Sequence, residues 1–179
     1  MKVTKTNLEG CLIIEPDIYA DKRGLFLETF QKERYQSEAG INFNFVQDNF
    51  SSSKKGVLRG LHFQKSKPQG KLVSVSRGKV FDVAVDLRSD SKTFGQWHGM
   101  ELSGENKLQL WIPPCFAHGF LVISEEVDFQ YKCTDYYDPL DEAALLWNDP
   151  DLAIRWPEVE EVKLSKKDSN ALSLKELLR

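Results

Sequence analysis

Between residues 71 and 133 short runs of alternating apolar and polar residues follow one another, separated by turn residues, and this constrains the fold more than anything else in the chain. Phe81, Val83, Val85 and Leu87 alternate with Asp82, Ala84 and Asp86, a period of two that suits a strand and not a helix. Lys71 to Ser76 alternates too, with Val73 and Val75 on one face, and Gly78 makes the turn. Further strands are predicted over Trp97 to Leu102, Leu108 to Ile112, His118 to Ile123 and Val127 to Cys133. Pro113-Pro114 must interrupt pairing, because proline has no N–H for a ladder. Upstream, Cys11 to Ile14, Leu25 to Phe30, Phe43 to Phe50 and Gly56 to Gln64 read as strands, with Ser51 to Lys55 as a polar loop. The one early helix runs from Gln31 to Ala39 and stops at Gly40. From Asp138 onward the pattern changes to loops and short helices, ending in a helix over Ser169 to Leu178. Many short strands with little helix predict an all-β sandwich or barrel. A chain of 179 residues is most simply one domain, 1–179, with a proper core.

The net charge of −3 gives no global field to recruit nucleic acid, so an anionic ligand must be held by locally placed Arg and Lys. No apolar run approaches the roughly 20 residues of a membrane span. The start, Met1 to Lys5, lacks an apolar signal region, and Cys11, Cys115 and Cys133 are odd in number and widely spaced. Those features suit a reducing compartment, and the cytoplasm is the expected location.

Histidine occurs three times, at 62, 98 and 118. An imidazole takes and gives a proton near neutral pH, which makes His62, inside a strand, a candidate general base. A hydrogen-bonded core or surface histidine is the plainer alternative. Strict alternation puts Leu58, His62 and Gln64 on one strand face and Arg59 on the other. Arg59 and His62 can share a pocket only if the strand bends or bulges near Gly60. Tyr131 falls on the face of Val127 and Phe129, pointing inward, as a core tyrosine or a proton donor. Asp168 has nothing local to mark it as more than a helix cap. Arg23, Arg59, Lys71 and Lys167 read as solvated charges that together can offset a diphosphate.

The spacing Pro113-x-Cys115-x-x-His118 resembles the second motif of the cupin jelly rolls, with cysteine where glycine is usual. A metal-dependent cupin built on His62, His98 and His118 is therefore an alternative. It is weakened by the lack of a His-x-His pair or a third ligand at familiar spacing. A non-catalytic sugar-nucleotide binding module is another.

A broader resemblance covers the chain from about residue 10 to its end. Arg23-Gly24-Leu25-Phe26-Leu27-Glu28, Gln47-Asp48-Asn49, Leu58 to Gln64, Phe116 to Phe120, Tyr131 to Tyr137, Leu146 to Pro150 and Ser165 to Asp168 closely resemble the dTDP-4-dehydrorhamnose 3,5-epimerases, in one register. The resemblance implies a cupin-like jelly roll with a few short peripheral helices, a homodimer, and no metal or organic cofactor. It implies epimerisation at carbons 3 and 5 of dTDP-4-dehydro-6-deoxy-D-glucose, with relatives that act on one carbon only as the alternative. It places the catalytic base on His62, its partner carboxylate on Asp168 and the proton-donating tyrosine on Tyr131. Diphosphate and sugar contacts fall on Arg23, Glu28, Arg59, Lys71, His118 and Lys167. Nucleotide-side positions are Gln47 to Asn49, Phe26, Tyr137 and Glu142. Lys71, with Arg59 as runner-up, is expected to stabilise the enolate. Cys115 departs from the usual glycine, at an expected loss of roughly 1 kcal/mol if the turn needs a positive φ.

Overall fold

A computed structural model describes residues 1–178; Arg179, the last residue of the expected single domain, lies outside them. Thirteen strands and three short helices follow in order. The strands are β1 (Lys2–Lys5), β2 (Leu12–Glu15), β3 (Ile18–Asp21), β4 (Gly24–Leu27), β5 (Gln47–Lys54), β6 (Leu58–Gln64) and β7 (Lys71–Arg77). They continue as β8 (Lys79–Asp86), β9 (Trp97–Ser103), β10 (Gln109–Ile112), β11 (Phe116–Val122), β12 (Glu126–Cys133) and β13 (Glu142–Ala144). Helix α1 (Lys32–Ala39) lies between β4 and β5, and α2 (Lys166–Ser169) and α3 (Leu174–Leu177) close the chain.

Two antiparallel sheets make the body, in the orders β1-β2-β10-β7-β12-β5 and β13-β6-β11-β8-β9. Neighbours in the sheets are far apart in sequence, the crossing pattern of a jelly roll. The inner faces meet in a core of Val73, Val75, Leu110 and Phe129 against Val80, Ala84, Leu102 and Phe120. Both outer faces are also covered. Tyr35 of α1, with Ile41, packs on Ile14, Leu72 and Trp111 of the six-stranded sheet. Residues 145–177 lay Leu145, Leu152, Trp156 and Leu174 over Leu61, Val83 and Val85 of the five-stranded sheet.

Strand β8 is buried on both faces in consequence. Its apolar side, Phe81, Val83 and Val85, faces the C-terminal segment, while Ala84 faces the inter-sheet core. Asp82 and Asp86 share the Ala84 side, and both are fully buried. Asp86 is tied to Arg88, Ser91 and Thr93. Asp82 has a different partner, described below.

Three local expectations are corrected. Ser51 to Lys54 is not a loop: β5 runs through it, paired residue for residue with β12. Its polar composition reflects an edge position with one solvated face. The strand expected from Phe43 starts only at Gln47, because Phe45 turns to pack with Phe30 and Trp111. Of the C-terminal helix expected over Ser169 to Leu178 only the turn α3 forms, because α2 lies upstream and ends at Ser169. Between them the chain is extended where Leu172 bridges Leu145 and accepts from the Leu146 N–H. Ser173 then starts α3 with a capping box to Glu176.

Candidate active site

Gly60 decides where the side chains of β6 point. In the pairing of β6 with β11, His62 lies opposite His118 and Arg59 opposite Phe120. Two residues, Gly60 and Leu61, thus face the single Gly119, which is a β-bulge. Gly60 has φ +131°, and a Cβ there would lie 2.5 Å from the Gly119 Cα. The extra residue shifts the alternation, so Arg59 and His62 line one cavity, together with Lys71, His118, Tyr131 and Glu142. This cavity of about 410 Å³ lies between the two sheets, within the usual range for small-molecule sites.

His62 presents its Nε2 at 2.5 Å from Asp168 Oδ1. Asp168 belongs to α2, whose N-cap Ser165 accepts the Asp168 N–H, and the carboxylate is almost wholly shielded from solvent. Burial by itself would raise the pKa of this carboxyl. The hydrogen bond and charge of His62, with the Ser165 hydroxyl, outweigh burial and hold it below the ordinary range. An ionised Asp168 accepts only, so Nε2 carries a proton and Nδ1 is the ring nitrogen left to exchange one with a ligand.

Tyr131 stands on β12, in the opposite sheet from His62. It packs on Phe129, and burial pushes its pKa up to about 12. It therefore remains a protonated phenol at any working pH. Lys71, on β7, is buried, and burial lowers its pKa; its Nζ donates to the His62 carbonyl at 3.4 Å. Arg59 Nε donates to Ser53 Oγ. His118 is buried and bonds Asp82 Oδ2 through Nε2 at 2.9 Å, with its ring stacked near Phe129.

The rim is a linked polar set. Glu142 accepts from Lys167 Nζ at 2.7 Å and from the Tyr137 hydroxyl at 2.9 Å. Burial would raise the Glu142 pKa, but these two hydrogen bonds more than compensate and hold it low. Gln47 accepts the Tyr137 N–H and donates to Asn49 Oδ1. Tyr137 is half-exposed, its ring free to be covered by a ligand.

Arg23, Phe26 and Glu28 stand apart. The β3–β4 hairpin pairs only with itself, and Arg23, at its tip, is bound to Asp21 and points into solvent. Phe26 is exposed, and Glu28 is paired with Arg34 of α1. None of the three lines the His62 cavity within one chain. The metal alternative finds no support in the donor set: His62 and His118 each hold a carboxylate and His98 holds Asn7. Among the described residues no group of three His, Cys, Asp or Glu side chains is arranged to hold a metal ion.

Comparison with known proteins decides the family. The model of the dTDP-4-dehydrorhamnose 3,5-epimerase family matches residues 5–176. The chain belongs to this family. An epimerase of that name from Methanothermobacter thermautotrophicus is 53% identical over 96% of this chain and 94% of its own. The solved 3,5-epimerase from Legionella pneumophila, in complex with dTDP-4-keto-L-rhamnose, is 58% identical. It superposes with a TM-score of 0.95 over 97% of this chain and 93% of that one. The Bacillus anthracis family member, with TDP and pyrophosphate bound, is 43% identical, with a TM-score of 0.92 over 97% and 99%.

This epimerase-family chain is an isomerase on a jelly-roll scaffold, as the resemblance implies. Sequence reasoning missed Asp82 as the partner of His118 and Ser53 as the partner of Arg59. Asp82 had a visible signal: an acid inside an alternating run such as Phe81 to Asp86 suggests one polar face and one apolar face. It does not reveal that both faces are covered. Ser53 has none, since the polar composition of Ser51 to Lys55 reads as a loop.

Proposed function

We propose that the chain epimerises carbons 3 and 5 of dTDP-4-dehydro-6-deoxy-D-glucose to give dTDP-4-dehydro-L-rhamnose, for dTDP-L-rhamnose synthesis. One observation carries the roles: an imidazole backed by a buried carboxylate on one sheet, and a protonated phenol on the other, line the same cavity. A ketone at carbon 4 acidifies the hydrogens on carbons 3 and 5. Inversion then needs a base on one face of the ring and an acid on the other, with no change of oxidation state. His62 Nδ1 takes the proton, and Asp168 stabilises the imidazolium. Lys71 offsets the negative charge that develops on the enolate oxygen, and Arg59 also lines the cavity. Tyr131 delivers a proton to the opposite face. His62 then releases its proton to solvent and Tyr131 regains one, so the enzyme is restored and each inverted carbon acquires a solvent hydrogen.

We also propose a homodimer in which the β3–β4 hairpin of one protomer closes the cavity of its partner. The hairpin carries four exposed apolar side chains, Ile18, Tyr19, Leu25 and Phe26, a combination a monomer has no use for. This arrangement would bring Arg23 to the diphosphate and Phe26 to the nucleobase. His118 and Lys167 would contact the sugar and diphosphate, and Gln47, Asn49, Tyr137 and Glu142 the nucleotide. The three free thiols are consistent with work in the cytoplasm. No described helix is long and apolar enough to cross a membrane.

The test is NMR of the purified protein with dTDP-4-dehydro-6-deoxy-D-glucose in D₂O. Deuterium at both carbons and the L-sugar as product are expected. Deuterium at one carbon would make it a mono-epimerase, and binding of dTDP without any exchange would make it a binding module.

A further inference from the structure

Behind His118, on the side away from the ligand cavity, lies a polar row that the proton transfers do not use. It crosses three neighbouring strands on their inner face. His118 of β11 and His98 of β9 both pair with Ala84 of β8, one from each side. Asp82 is two residues from Ala84 on the same face of β8, within diagonal reach of both rings. One of its oxygens, Oδ2, holds His118 Nε2 at 2.9 Å. Its other oxygen, Oδ1, and His98 Nε2 are both buried without a protein partner, two of only three such side-chain atoms among the described residues.

The protonation of His98 follows from Asn7. The Asn7 amide donates Nδ2–H to the Trp97 carbonyl at 3.0 Å, which fixes its orientation. Its Oδ1 then faces His98 Nδ1 at 2.7 Å. An amide oxygen only accepts, so His98 Nδ1 carries the proton. Burial disfavours the charged imidazolium, so the ring is neutral and Nε2 is a bare acceptor. Asp82 Oδ1 is an acceptor too. Two acceptors cannot satisfy one another, and leaving a buried carboxylate oxygen unpaired is strongly unfavourable. A water molecule donating one O–H to each satisfies both.

We propose that His98 is a positioning residue: through one buried water, donating to His98 Nε2 and Asp82 Oδ1, it fixes the carboxylate that orients His118 in the cavity. The chain Asn7–His98–water–Asp82–His118 runs from the surface near the N-terminus to the ligand site. Its members impose the tautomers in sequence. Nδ1–H on His98 makes the water donate to Nε2, and Asp82 keeps Nε2–H on His118. The effect on turnover rests on the proposal that His118 contacts substrate; the tautomers and the water do not.

Only three histidines are present, so two-bond ¹H–¹⁵N correlation NMR, assigned with single His→Gln variants, reads each ring directly. At neutral pH His98 is expected as the Nδ1–H tautomer and His118 with Nε2 protonated. His98→Phe removes the water's acceptor and should shift the His118 ring nitrogens, raising KM roughly fivefold with kcat little changed. His98→Gln, whose Oε1 can accept from the water, should restore both. An Nε2–H or doubly protonated His98 overturns the proposal, as does a His98→Phe variant whose His118 signals do not move. If the His118 signals move and KM does not, the row exists but His118 does not contact substrate. His118→Phe kinetics check that separately, by leaving KM unchanged.

Discussion

His62 Nε2 and Asp168 Oδ1 lie 2.5 Å apart although 106 residues separate them in sequence. The contact ties a strand of the five-stranded sheet to the single-turn helix α2, and Asp168 is the buried residue of that turn. Asp168→Asn should therefore leave the fold intact and lower kcat by roughly 10²–10⁴-fold, because an amide does not stabilise an imidazolium. The same pair sets a pH dependence of stability. The Asp168 carboxyl titrates below its unfolded value of about 3.9. Its contribution is complete above that value and is lost as pH falls through the lower folded pKa. Thermal melts should show a larger gap between the native protein and Asp168→Asn at pH 5 than at pH 3.

Tyr131→Phe separates exchange from inversion. Without the phenol, His62 still removes a proton and can return a solvent deuteron to the same face. Deuterium should enter the substrate with retained configuration, while formation of the L-sugar falls by roughly 10²-fold or more. NMR in D₂O distinguishes this from a loss of both, which would mean that Tyr131 holds the substrate and does not deliver the proton.

Gly60→Ala probes the bulge. The new methyl would meet the Gly119 Cα at 2.5 Å and the His118 carbonyl at 2.9 Å, in a backbone conformation with φ +131°. Relief by flattening the bulge would turn Arg59 out of the cavity. Chemical denaturation should show a loss of about 2–4 kcal/mol, with activity falling further than stability alone explains.

Cys115 lies in the left-handed region, with φ +67°. Only glycine is at ease there, so Cys115→Gly should stabilise the protein by up to about 1 kcal/mol. Its side chain is exposed and no described contact depends on it, so kcat and KM should not change.

Complementation tests the shared site. If Arg23 acts on the partner's cavity, a protomer with Arg23→Ala and a protomer with His62→Ala form a heterodimer with one intact site. Co-refolded in equal amounts, the two inactive variants should regain about a quarter of native activity. A hairpin folding back on its own chain would give no recovery.

The sequence carried the strand periodicity, the β class and the limits of α1 well, because these depend on near neighbours. Gly40 ends α1, as expected from the residues alone, with φ +68°, and Gln31, expected as the first helical residue, is its N-cap. The bend at Gly60 was legible as a condition: Arg59 and His62, on opposite faces, could share a pocket only if the strand bent there. Its form was not, since a bulge is defined by the partner strand. The His62–Asp168 pair came only through the family resemblance, because nothing in Leu164 to Asp168 distinguishes a catalytic carboxylate from a cap. The polarity of β8 was visible, but not that its acidic side faces the core. That depends on the C-terminal segment covering the other face. Serine-rich β5 looked like a loop because edge pairing, supplied by β12, does not need an apolar face.

Everything in this mechanism rests on His62 as the base, and hydrogen exchange reads that step most directly. His62→Ala, folded as judged by circular dichroism and still binding dTDP, is to be compared with the native protein for deuterium entry at carbons 3 and 5 in D₂O. Exchange at both carbons should fall by at least roughly 10²–10⁴-fold. Near-native exchange at both carbons in the variant would contradict the assignment.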